Sequence, residues 1–394
     1  MPMSAAEAEA AIRSGIAALQ RGNAKHAQQL FEEVVGRGSP LPPPWFPLAQ
    51  ACRHTGDHQA EEAALDKVLS DQPRNIGALI MKGDCRRRTD DDRAAVSFYK
   101  AALNAAAHAG QVPPILAPEL KRVEELCKAA EGEFERHLQE KLAAEGITAG
   151  RCSSRFQDAI DIMLGKKEVY LQQPNSFYFP GLPQIQFYER SSFPWLAAVE
   201  DVAPAMRAEL EAVIEEEGAF TPYVEAAPNR PQPENHLLGD LSWAAFYLWK
   251  SGIPVPGNAE RCPRTMEALA QAPMPVIKGR SPTALFSRLR PGAHIKPHHG
   301  LLNTRLICHV PLVAPPNCRL RVGNEVREWQ EGRALIFDDS IEHEAWNGSD
   351  CTRTVLLFES WRPEIGEEER RALTIMFEAI TDYGGETSET GGAA

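Results

Sequence analysis

CRLRVGNEVREWQEGRALIFDDSIEHEAWNGSDCTRTVLLFESW, residues 318–361, decides the fold. Short runs rich in β-branched and aromatic residues (CRLRV, RALIF, TRTVLLFESW) alternate with glycine, asparagine and acidic turns. Gly323-Asn324, between CRLRV and EVREW, is a two-residue hairpin signal. Upstream, TRLICHVPLV, ALFSRLR and SWAAFYLW continue the pattern, which gives regularly spaced short strands from about residue 240 onward. Such spacing predicts an antiparallel sandwich or barrel. Residues 197–217, in front of the strands, read as one helix.

The first third of the chain follows another rule. Gly15, Ala49 and Gly83 recur at a spacing of 34, as do Phe31, Leu65 and Tyr99. Polar turns, Arg21-Gly22-Asn23 and Thr55-Gly56-Asp57, keep the same register. Small residues where two helices touch and large ones where they interlock specify stacked helix pairs. The register resembles the tetratricopeptide repeat, with Trp45 at that family's aromatic position and Pro73 at its closing proline. Glu61 departs from it, standing where the other repeats have Ala27 and Ala95. The run Arg86-Arg87-Arg88 reads as a solvated helix face. The expected organisation is helical repeats over 1–112, capping or linker helices over 113–150, the strand-rich domain over 151–365, and a C-terminal helix with a disordered tail over 366–394. The class is therefore α+β and multidomain.

Composition excludes several functions. The net charge of −12 argues against a nucleic-acid partner, which needs a basic face. No apolar run approaches the ~18 residues that span a bilayer. The N-terminus lacks a basic start followed by an apolar core, so no export signal is read and a cytoplasmic location is expected. The eight cysteines form no CxxC pair, which fits structural thiols in a reduced compartment.

Histidines carry the chemical signal. Four of the eleven fall within residues 294–309, and a fifth, His343, lies in the same strand region. Neutral imidazole suits iron(II), and a buried arginine such as Arg353 suits a dicarboxylate. The runs SRLRPGAHIKPHHG, NTRLICHVPL and FDDSIEHEAWN, followed by TRTVLLFESWRPE, resemble the aspartyl/asparaginyl β-hydroxylase family. The likeness is close over 284–363 and looser over 155–365. It implies a double-stranded β-helix (jelly-roll, cupin-like) and a dioxygenase using Fe(II), 2-oxoglutarate and O2. By the same resemblance His298 and His343 are the metal ligands and Arg353 binds the distal carboxylate of 2-oxoglutarate. Ser287 assists Arg353, and His309 lies beside the co-substrate. The implied reaction hydroxylates a C–H bond, the β-carbon of an Asp- or Asn-type residue in a peptide or a related small molecule, and releases succinate and CO2.

Departures from the family bear on the substrate. Gly300 stands where most iron/2-oxoglutarate oxygenases have the carboxylate arm; in this family water fills that gap, and in related halogenases chloride does. Asp338 or Asp339 is expected to orient a ligand histidine or a bound water. Members carry an arginine where Ile307 sits, and Arg305 is the expected substitute. Leu285, His236 and Trp243 replace their substrate-contacting lysine, arginine and glutamine. A peptide, protein or small-molecule substrate is expected, with a possible protein partner at the repeat surface. The alternatives are a halogenase and a non-catalytic repeat scaffold.

Overall fold

The computed structural model describes residues 2–384 apart from 149, 217 and 227–234. The expected disordered tail, from 385 on, lies outside the described residues. The chain divides into two compact units, Met1–Ile160 and Asp161–Ala394.

The first unit holds three antiparallel helix pairs: α1 (Ala5–Gln20) with α2 (Ala24–Arg37), α3 (Trp45–Thr55) with α4 (His58–Asp71), and α5 (Ile76–Arg88) with α6 (Asp92–Ala107). The single helix α7 (Ala117–Ala144) packs on α6. Asn23, Asp57 and Asp91 cap α2, α4 and α6 through their side chains, as short polar turns require. The repeat of 34 has a steric cause. A Cβ on Gly15 would lie 2.4 Å from the Phe31 ring, and one on Gly83 would lie 2.4 Å from the Tyr99 ring. The small residue of each first helix thus seats the large residue of its partner. These pairs are consistent with tetratricopeptide-like repeats.

Glu61 and the arginine run explain each other. Glu61 is fully buried on α4, and Arg88 reaches back from α5 to pair with it. Arg86 likewise pairs with Glu62. The run stays at the surface, with Arg87 exposed, but Arg86 and Arg88 are also ion-paired, because the acids of the preceding repeat stand opposite them.

The second unit begins within α8 (Ser154–Met163) and continues with α9 (Leu196–Glu200) and α10 (Ala203–Ile214). The expected single helix over 197–217 is thus two, and Pro204 stands in the first turn of α10, where its missing N–H costs nothing. Then come β1 (Thr221–Pro222), β2 (Trp243–Lys250), β3 (Ile253–Pro254), α11 (Pro263–Leu269), β4 (Ala284–Leu289), β5 (His294–His298) and β6 (Arg305–Val313). The unit ends with β7 (Cys318–Val322), β8 (Glu325–Glu328), β9 (Leu335–Phe337), β10 (His343–Asn347), β11 (Arg353–Trp361) and α12 (Glu367–Gly384). All strand pairing is antiparallel. One sheet runs β1-β2-β4-β11-β6-β9 with β3 on β2; the other runs β5-β10-β7-β8. Gly323 and Asn324 form the β7–β8 turn, with Val322 opposite Glu325.

Alternation along the central strands separates packing from chemistry. Phe286 of β4, Leu306 and Cys308 of β6, and Leu356 and Phe358 of β11 pack against the helical layer with Met206 and Leu210. The residues between them, Ser287, Ile307, His309, Arg353 and Leu357, turn to a cavity. Both faces are buried, so these strands read as near-continuous apolar runs. Among the described residues no helix is long and apolar enough to cross a membrane.

A double-mutant cycle tests the buried pair of the first unit. Arg88→Ala should destabilise the unit by about 3 kcal/mol, because it leaves the buried Glu61 carboxylate uncompensated. Glu61→Ala/Arg88→Ala should recover most of that loss, as read by denaturant unfolding. Equal destabilisation by the single and double variants would show that the pair is not the source.

Candidate active site

The cavity lies between the two sheets and offers about 130 Å³ for water centres. His298 ends β5 and His343 begins β10, and the two are direct register partners. Their ring centroids are 4.1 Å apart. Each Nδ1 lies within hydrogen-bond reach of the carbonyl two residues earlier, His298 to Lys296 at 2.7 Å and His343 to Ile341 at 3.0 Å. A carbonyl only accepts, so each neutral ring carries its proton on Nδ1 and keeps a lone pair on Nε2. Burial holds both pKa values below the usual histidine range, and each is lowered further by neighbouring histidines. Two neutral nitrogen donors thus face one cavity, which fits a divalent transition metal. Among the described residues no group of three or more His, Cys, Asp or Glu is placed to hold a metal ion.

Gly300 accounts for the missing third arm. A Cβ there would lie 2.1 Å from Asp339 Oδ2, so the Asp339 carboxylate already fills the space a side chain would need. Burial raises the Asp339 pKa to about 6, against the lowering effect of Arg305. Its Oδ1 is buried without a partner. Asp338, by contrast, is locked to Arg362 at 2.8 Å and to Gln172 and Ser340. Of the two acids considered, only Asp339 lines the cavity.

Two arginines are buried almost completely, and they differ sharply. Arg362 bonds Asp338, Tyr188 and the carbonyls of Asn303 and Pro183. Arg353 has one long contact, Nη1 to the Ser287 carbonyl at 3.4 Å, and its Nε has no partner. Its guanidinium lies 4.6 Å from the centre of the Trp329 ring. Burial lowers its pKa to about 10. A buried cation without an acid is costly, so this one is built to receive an anion.

Its surroundings agree. Trp329 Nε1 donates to His309 Nδ1 at 3.3 Å. An indole can only donate, so neutral His309 carries its proton on Nε2, which is buried and unpartnered. Ser287 Oγ accepts from Trp243 Nε1 at 3.2 Å, leaving its own proton to donate. Arg353, His309 and Ser287 therefore present three donors to one region. Trp329 was missed in the sequence because its role depends on two contacts across the fold, and no local pattern signals it.

The remaining expected residues divide. Arg305 lines the cavity, yet its guanidinium bridges Asp339 at 3.0 Å and Glu359 at 3.1 Å. Arg353, by contrast, has no acid partner among the described residues. Trp243 lines the cavity and stacks on Tyr223 at 4.0 Å. Leu285 belongs to the core between the sheets, and His236 is half-exposed and bonded to the His294 carbonyl.

Residues 200–363 match the family model described as aspartyl/asparaginyl beta-hydroxylase. This segment is similar to the aspartyl/asparaginyl beta-hydroxylase family. The ornithine lipid ester-linked acyl 2-hydroxylase of Rhizobium tropici is 38% identical to the chain over 179 residues, 45% of this chain and 60% of that protein. Aspartate beta-hydroxylase domain-containing protein 2 of Homo sapiens is 32% identical over 213 residues, 52% of this chain and 55% of that protein. The human aspartyl/asparaginyl beta-hydroxylase is 36% identical over 144 residues, 36% of this chain and 19% of that protein. The chain thus spans somewhat over half the length of the first two relatives. Among solved structures, the Sgt2 TPR domain of Aspergillus fumigatus aligns at a TM-score of 0.28 and 21% identity, over 34% of this chain and 84% of that one. The two histidines, Ser287, His309 and Arg353 all fall inside the matched segment.

The Gly300 contact gives a packing test. Gly300→Ala should lower thermal stability by the equivalent of about 1–3 kcal/mol, the range for an overpacked core. Gly300→Ala/Asp339→Ala should regain part of it, since the colliding carboxylate is gone. No recovery in melting temperature would show that the glycine serves another purpose.

Proposed function

We propose that the chain is an Fe(II)- and 2-oxoglutarate-dependent dioxygenase that hydroxylates a substrate C–H bond. The observation that carries this reading is the buried, acid-free Arg353, set in the same cavity as two neutral histidines with free Nε2 lone pairs. The two antiparallel sheets are read as a double-stranded β-helix.

In this reading His298 and His343 would hold iron(II), and Asp339, whose carboxylate lines the same cavity beside Gly300, would orient a bound water. Arg353 takes the distal carboxylate of 2-oxoglutarate, with Ser287 Oγ–H and His309 Nε2–H as further donors. The iron, with the co-substrate and O2, would supply the oxidant: 2-oxoglutarate goes to succinate and CO2 while one oxygen atom enters the substrate C–H bond. The chain's own contribution is orientation and enclosure. Its buried imidazoles stay neutral, its indoles fix the donors, and its apolar walls exclude water. The relatives are named for hydroxylating lipid acyl groups or aspartyl and asparaginyl residues, and both are aliphatic C–H donors. The halogenase alternative is disfavoured by Asp339, whose carboxylate stands beside Gly300 where chloride would need room.

Two experiments follow. His343→Ala should abolish Mn(II) binding, used as a redox-silent probe of the iron site. Arg353→Met should keep Mn(II) binding and weaken 2-oxoglutarate about 100-fold, the cost of deleting one partner of a buried charge pair. Metal binding that survives His343→Ala would sink the ligand assignment. Trp329→Phe keeps a ring under Arg353 but removes the N–H to His309. It should raise the KM for 2-oxoglutarate about five- to tenfold, a hydrogen bond's worth, with kcat changed less. An unchanged KM would remove Trp329 from the co-substrate site.

A further inference from the structure

The cavity does not end at the histidines. It extends to Ile277, Leu301, Leu302 and Phe377, which pack together as one apolar cluster. Phe377 belongs to α12, beyond the family-matched segment. Phe177, whose ring meets Phe377 edge-on at 5.1 Å, precedes that segment. The helix is firmly seated. Arg280 Nε donates to Thr381 Oγ1 at 2.8 Å and the guanidinium lies over the Phe377 ring at 5.3 Å. The backbone N–H of Lys278 donates to Glu378 at 3.3 Å. α12 is thus a wall of the site, although the sequence reading set residues 366–394 apart from the domain.

The charged groups between the two ends are engaged within the protein. Arg305 is held by Asp339 and Glu359, while Glu359 also accepts from Ser281 Oγ and from the Thr283 N–H. Arg280, Ser281 and Thr283 also line this end, but Arg280 is engaged by Thr381 and the Phe377 ring, and Ser281 by Glu359. A peptide backbone would bring N–H and C=O groups that need partners there. A hydrocarbon chain brings none, and its burial is favourable in proportion to area.

We propose that Ile277, Leu301, Leu302 and Phe377 form a distal subsite for the hydrocarbon chain of an acyl or alkyl substrate. The oxidised carbon then lies toward the polar end of that chain, near His298 and His343. The assignment rests on the hydroxylase reading for its chemistry, but its binding claim is separable.

The test is a chain-length series. N-acylglycines of increasing acyl length are titrated into the full-length chain with Mn(II) and 2-oxoglutarate present, and binding is read by calorimetry. Affinity should rise about threefold per added methylene and then level off when the far wall is reached. Phe377→Leu should move the levelling point to longer chains. Leu301→Trp, at a half-buried position that tolerates bulk, should move it to shorter ones. Melting curves check folding, and either variant alone suffices. Affinity independent of length, or a levelling point that neither variant moves, overturns the subsite. Tighter binding of an apolar heptapeptide, lost in Phe377→Leu, overturns the acyl assignment in favour of a peptide. With iron in place of Mn(II), absence of succinate beside an intact length series would count against the hydroxylase reading alone. Succinate formation beside a flat series would count against the subsite alone.

Discussion

The register between β5 and β10 is the constraint on which the site depends. His343 stands directly opposite His298, and both rings turn to the cavity side of the smaller sheet. Side chains alternate with period two, so a slip of one residue would send one imidazole to the opposite face. Several features pin that register. His294 reaches Glu344 at 2.8 Å and stacks on its register partner Trp346 at 5.3 Å, at the other end of the same strand pair, beyond an irregularity between His343 and Ala345. The neighbouring β7 adds a continuous ladder to β10, with Val322 opposite His343 and Cys318 opposite Asn347. The histidine pair is thus set by backbone pairing.

The larger sheet solves a different problem, which is the placing of charge in an apolar interior. Its arginines show two solutions. Arg362 is neutralised by Asp338 and bonded through both Nη atoms, and it ties the chain just after β11 to the segment that includes Pro183 and Tyr188. Arg353, nine residues earlier at the start of β11, has no acid partner among the described residues. Only an aromatic face and one weak carbonyl contact offset its burial. If Arg353 were structural, selection for stability would favour an apolar residue there. Under the proposed function, an anionic co-substrate would make the unpaired charge useful, because the desolvation cost is met during folding rather than at binding.

Legibility in the sequence followed the range of the interactions. The helical repeats were readable because each Gly-to-aromatic contact recurs within its own helix pair, as at Gly15–Phe31 and Gly83–Tyr99. The strands were readable from local runs, and the β7–β8 turn from Gly323-Asn324. His298, His343, Ser287, His309 and Arg353 were singled out, and the fold gathers them into one cavity. The ion pairs of the arginine run were missed because its acids come from the preceding repeat. The break between α9 and α10 was missed because the apolar period continues through it. Trp329 and Phe377 were not singled out at all. Each acts only by meeting residues far away in the chain, which no window of sequence contains.

The two ends of the cavity therefore differ in origin as well as in chemistry. Gly300, Asp339, Arg353 and both histidines lie within the family-matched segment and form a polar end. Their tolerances are tight, since even a Cβ at Gly300 would collide with a carboxylate. The apolar end draws on α12, which no strand register constrains and which is held by packing and a few side-chain bonds. A wall of that kind can change its residues without disturbing the histidine pair. Under the proposed function, the distal wall could then vary while the polar end stays fixed, and Phe377 is where such variation would first change the cavity.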